Sequence, residues 1–141
     1  MTGLGRLVAV CAVVALSWPA LGIAQAQSLG TVRITRAVLA NGEALAAGTY
    51  AVRLSDAAVS AVVGQSPDGA RWVEFLQSGQ ARGRELATVL AGEAVVEVAG
   101  RGGPASGASR VELLKGGDFL RVWINRAGTH YLVHLSIPPA R

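Results

Sequence analysis

Both histidines, four of the nine carboxylates, one of the three tryptophans and its neighbour Arg121 are the residues of this chain with chemistry to offer. His130 and His134 are the only histidines, and their spacing of four would set two zinc ligands on one face of a helix. They lie in THYLVHLSI, however, where Tyr131, Val133, Leu135 and Ile137 alternate, and that period belongs to a strand. At about 3.3 Å per residue the two imidazoles then stand about 13 Å apart along one sheet face. They cannot share an ion at that distance, so no metal is expected. Each histidine remains a candidate ligand-binding side chain, either solvated on the sheet or joined to a carboxylate of a neighbouring strand.

For acid–base work the candidates are Glu74, Glu85, Glu112 and Asp118. Strand carboxylates opposite arginines ordinarily form cross-strand ion pairs, so no catalytic residue is assigned among them. A Gly-x-Ser-x-Gly elbow and a Ser-x-x-Lys pair are both missing, and Cys11 is the sole cysteine. Nucleophilic catalysis therefore has no sequence support, and the chain reads as a non-enzyme. The run Gly100-x-Gly102-x-x-Ala105, with Asp118 downstream, imitates a dinucleotide fingerprint, but that motif works only where its glycines open a helix. Here Pro104 and SGAS lead into the alternating RVELL, which predicts a loop between strands and no cofactor.

Trp123 alternates out of phase with Leu120, Val122 and Ile124, which puts it on the opposite face from that apolar row, beside Arg121. If exposed, the pair would stack on a sugar ring or an aromatic group. If both faces of a central strand are covered, Trp123 is a core residue. The candidate ligand-binding set is thus Trp123, Arg121, His130 and His134. Arg82-Gly83-Arg84 and Arg101 offer a basic rim for anionic head groups or glycans.

The elements that would position these groups are short strands punctuated by glycine. Val32, Ile34 and Val38 suggest a first strand ending at the turn pair Asn41-Gly42. Tyr50, Val52 and Leu54 alternate with Thr49, Ala51 and Arg53. Residues Ala58 to Val63 and Arg71 to Leu76 flank Ser66-Pro67-Asp68-Gly69 and predict a hairpin. Strands are expected on Glu85 to Leu90 and Ala94 to Ala99, followed by the irregular GRGGPASGAS. A meander then runs over Arg110 to Leu114, Phe119 to Asn125 and Thr129 to Ile137. No sustained helical period appears. About eight short strands predict an all-β fold, an antiparallel sandwich or barrel.

The N-terminus reads as an address. Positive charge at the α-amino group and Arg6 precedes the apolar run Leu7 to Leu16; Trp18 and Pro19 follow, and Ala24-Gln25-Ala26 supplies the small-x-small triplet of a signal-peptidase site. The expectation is a helical signal peptide over residues 1–26, cut before Gln27, and a single domain over residues 27–141 that is periplasmic or secreted. The alternative is an uncleaved anchor, since Leu7 to Ala26 has about the 20 residues a membrane span needs. Cleavage would remove Cys11 and Arg6, leaving a cysteine-free domain with 12 basic and 9 acidic residues. That mild, scattered surplus does not form the clustered footprint nucleic acid requires.

The segment NGEALAAGTYAVRL, Asn41 to Leu54, resembles a phrase of uncharacterised exported β domains of Gram-negative bacteria, in which NG and a following L-P-A-G-x-Y-x-V lead into a strand. Ala46 stands here in place of the usual proline. The resemblance implies compartment and fold and assigns no functional residues. The function expected is a non-enzymatic envelope module that binds a protein or a surface through a sheet face or edge, with an envelope protein or glycan as partner. Membrane contact would occur only through the leader during export. The alternative is a carbohydrate or small-ligand domain using Trp123 and Arg121.

Overall fold

The computed structural model describes residues 27–60 and 67–140. The leader expected at residues 1–26 lies outside them. Within them the chain is predominantly β, with nine strands, β1 (Ser28–Ile34), β2 (Val38–Ala40), β3 (Glu43–Leu45), β4 (Gly48–Leu54), β5 (Ala70–Gln77), β6 (Gln80–Ala91), β7 (Ser109–Leu113), β8 (Phe119–Arg126) and β9 (Thr129–Ser136), one 3-10 turn (Pro67–Gly69) and one α-helix, α1 (Gly92–Ala99).

All the ladders are antiparallel, and the main run of strands is β1-β4-β5-β6-β9-β8-β7. The sheet curls until it is nearly a closed barrel. At the seam β1 and β7 face each other, bridged by the Ser109 hydroxyl, which donates to the Thr31 carbonyl at 3.4 Å. β9 is shared along its second edge. Thr129 to Val133 pair with β6, and Ser136 pairs with Leu39 of β2.

The alternation seen in the sequence decides which side chains enter the barrel. Tyr50, Val52 and Leu54 of β4, Val73 and Phe75 of β5, Leu120, Val122 and Ile124 of β8, and Tyr131, Val133 and Leu135 of β9 fill one continuous core. Each large apolar side chain so buried contributes about 1.5–3 kcal/mol. Tyr50 meets Phe75 edge-on, with centroids 6.3 Å apart, and its hydroxyl donates to the Ala46 carbonyl at 2.7 Å. The β2–β3 hairpin lies over β6 at Gly83, where a methyl group would stand 3.2 Å from Leu45 and 3.3 Å from Ala40.

Three expectations need correction. The first strand is two, since the chain leaves β1 after Ile34 and restarts as β2, which closes on β3 through Asn41 and Gly42, both at positive φ as a type I′ turn requires. The hairpin about Pro67 is absent in the described residues: Ser55 to Ser60 form no strand, residues 61–63 lie outside the description, and β5 pairs with β4 and β6. Ala94 to Ala99 belong to a helix. Their valine alternation imitates a strand, but Val96 and Val98 are 58% and 59% exposed, while Val95 and Ala99, four apart, face the sheet. Gly100, at φ 73°, ends the helix by donating to the Val96 carbonyl at 2.9 Å.

Candidate functional site

The outer face of β8 and β9 carries all four residues singled out from the sequence. Register sets them in rows. Trp123 lies opposite Leu132, Arg121 opposite His134, and Asn125 opposite His130, while β7 adds Arg110 beside Trp123 and Glu112 beside Arg121. Inward residues of these strands fill the barrel, so their outward neighbours need separate cover to be dry. α1 supplies it, packing Val95 and Ala99 on Leu90, Trp123 and Leu132 as a second, smaller core.

The loop Gly100–Ala108 completes the cover as a strap, and Asn125 fastens it. The Asn125 amide nitrogen Nδ2 donates to the Pro104 carbonyl at 2.9 Å. Its main-chain carbonyl accepts from Gly107 at 2.8 Å, and its main-chain N–H donates to Ala108 at 3.1 Å. Oδ1 accepts from Gly128 at 2.9 Å. The strap passes so close to the sheet that a methyl group at Gly103 would stand 2.6 Å from Trp123 Cζ2 and 2.7 Å from His130 Cε1.

Trp123 is accordingly 0% exposed. Of the two readings of Trp123, the structure fits the core residue on a strand covered on both faces, since α1 and the strap occupy the side on which a ligand would stack. The indole Nε1–H instead donates to His130 Nδ1 at 2.9 Å, and the two rings meet edge-on. The guanidinium carbons of Arg121 and Arg110 lie 5.0 and 5.8 Å from the indole centroid. Arg121 also binds Glu112 Oε1 at 3.0 Å, and Glu112 Oε2 accepts from Arg101. Arg101 is thus a tether of the strap, not part of a free rim, and Glu112 is the cross-strand partner that its place in β7 predicts.

The two histidines part company. His130 is buried, and burial holds its pKa below the ordinary 6.5. His134 is exposed to solvent on one side and packed beside Arg121 on the other; its pKa is also lowered, by this partial desolvation first and by Arg121 second, with Glu85 acting in the opposite sense. Among the described residues no three His, Cys, Asp or Glu side chains come together as a metal site.

A second group, on the outer face of β4, β5 and β6, was only partly legible. Arg53, Glu74 and Arg84 form one row across the three strands. Arg53 binds Glu74 at 2.6 Å, whereas Arg84 turns aside to lie 4.7 Å over the half-buried Trp72 ring. Arg82-Gly83-Arg84 is therefore strand and not rim, with Gly83 buried and the two arginines exposed. Arg84 has no carboxylate partner among the described residues. A shallow depression of about 160 Å³ beside it is lined by Glu43, Glu74, Ala81, Gly83 and Arg84. A larger one, about 420 Å³, lies by Arg33, Ile34, Thr35, Ala47 and Gly48 and holds neither a histidine nor a carboxylate.

Compared with known proteins, the chain matches no family, no curated sequence and no solved structure.

Proposed function

We propose that this chain is an exported, non-enzymatic module of the cell envelope, periplasmic or secreted, that binds a protein partner through the outer face of β4, β5 and β6. The observation that carries the reading is the cation–π contact of Arg84 with Trp72. The guanidinium carbon lies 4.7 Å from the indole centroid, no carboxylate of the described residues forms an ion pair with it, and its exposed N–H groups can meet an acceptor on another molecule. A planar donor held in this way suits a carboxylate. The barrel interior is filled with apolar side chains, so recognition inside the barrel is not supported and the surface is where a partner would be met.

The test is expression of the full chain, C-terminally tagged, in a Gram-negative host, followed by fractionation and capture from the envelope extract. The expected result is a product beginning at Gln27, outside the cytoplasm, holding a protein that the Arg84→Glu variant fails to hold. Retention of the tag in the cytoplasm, or equal capture by Arg84→Glu, contradicts the reading.

A further inference from the structure

We propose that α1 and the Gly100–Ala108 strap form an acid-released latch, held shut by the hydrogen bond from Trp123 to an uncharged His130. The inference is independent of the partner reading, because it concerns the covered face and not the face carrying Arg84.

The bond fixes the state of the ring. Nδ1 accepts from the indole, so in the closed form the imidazole carries its one proton on Nε2. A second proton has only Nδ1 to occupy. There it sets two N–H donors against each other at 2.9 Å, and the indole, which is donor only, has no way to reverse its role.

Among the described residues the resulting cation has no ion-pair partner. β8 presents Trp123 and Asn125, with Arg121 one row away and Arg126 at the strand end. β7 presents Arg110, and β6 presents Leu90 opposite the ring. The strap presents Gly103 against the ring edge, and its own charge, Arg101, is committed to Glu112. α1 carries Glu93 and Glu97, both exposed, while its inward residue is Val95. Among the described residues no carboxylate forms an ion pair with His130. Burial therefore opposes the charged ring, and no opposite charge offsets it.

The ring cannot relieve this by a small shift, because Gly103 already fits against it with no room for a methyl group. The relief available is for the strap to lift, carrying Pro104 and Gly107 off Asn125 and loosening α1 above Trp123. Lifting uncovers Trp123, Val95 and Leu132 next to the exposed Val96 and Val98, so acid turns a sealed patch into an apolar surface. Burial lowers the pKa of His130 in the closed form, which places the release on the acid side of 6.5.

The experiment is amide hydrogen exchange on the full chain at about pH 7.5 and about pH 5, corrected for the intrinsic effect of pH, with the indole and imidazole resonances followed through the same range. Acid is expected to speed exchange at Gly107 and Asn125 by about tenfold or more while Val52 and Phe75 hold their protection. In His130→Asn, whose side-chain oxygen accepts a hydrogen bond but takes up no proton, the acceleration should vanish, and in His134→Asn it should persist. An equal acceleration in His130→Asn, or no selective loss in the wild type, overturns the proposal. Should His130→Asn fail to fold, the wild-type resonances decide. The Trp123 Nε1–H signal must move in step with the His130 ring, and movement in step with His134, or none, overturns it.

Discussion

Replacing Gly103 by alanine probes how tightly the strap seals the outer core. The added methyl would lie 2.6 and 2.7 Å from two atoms of Trp123 and 2.7 Å from His130, where carbon contacts relax at about 3.5–4.0 Å. Both rings are rigid, and the indole is held by His130 on its edge with two arginines beside it. The backbone of the strap must therefore rise by about 1 Å. That stretches the bond from Asn125 to Pro104 from 2.9 Å to beyond hydrogen-bond range. Overpacking of this kind costs about 1–3 kcal/mol, and the lost bond adds about 1 kcal/mol. A total of about 2–4 kcal/mol is a large share of the stability of a small domain, and it should lower the urea midpoint by about 1–2 M with little change in slope. Gly102→Ala is the matched control. Its methyl meets nothing within 4 Å and its φ lies outside the left-handed region, so an effect within about 0.5 kcal/mol is expected. If Gly103→Ala were as harmless as Gly102→Ala, the seal would be refuted.

Other predictions follow from the same face. Asn125→Ala removes the donor to Pro104 and the acceptor for Gly128, and should destabilise by about 1–3 kcal/mol, with the loss of amide protection concentrated at Gly107 and Ala108. Glu112→Ala breaks the pairs to Arg121 and Arg101. Since Arg101 is about half exposed and Arg121 is not, most of a loss of about 1 kcal/mol should remain in Arg101→Ala, measurable as a double-mutant cycle. For pH, both histidines have folded-state pKa values below 6.5, so the unfolded chain binds more protons as pH drops. Their contribution is complete above about 6.5 and is lost as pH falls through the folded values. Urea midpoints should decline over that window, and less steeply in His130→Asn.

The inward half of the fold could be read from alternation alone, because one face of each strand must be apolar to fill the barrel. Tyr50, Val52 and Leu54, and the meander over β7, β8 and β9, follow that rule. α1 could not be read this way. Val96 and Val98 repeat every second residue, and only the tertiary contacts of Val95 and Ala99 show that the helical period decides. Gly100 directly after Ala99 is the one helix-end signal the sequence carries, and Ala91 gives no side-chain cap at the start. Strand parity, which is local, sets Arg121 with Trp123 on one side of β8 and His130 with His134 on one side of β9; that the two pairs share a face comes from the β8–β9 pairing. Whether that face is wet was not legible, because its cover comes from a helix and a loop far along the chain. Trp72 and Arg84 were missed as a pair because they meet diagonally across β5 and β6, a relation that depends on register.

The claim that the chain works by binding on the outer face of β4, β5 and β6 is tested most directly by mapping contact on that face. The isotope-labelled chain is titrated with the captured envelope partner, and its amide and indole resonances are followed. Perturbation centred on Arg53, Trp72, Glu74 and Arg84, and lost in Arg84→Glu, is the result predicted. Perturbation centred on any other surface, or unchanged in Arg84→Glu, would contradict it.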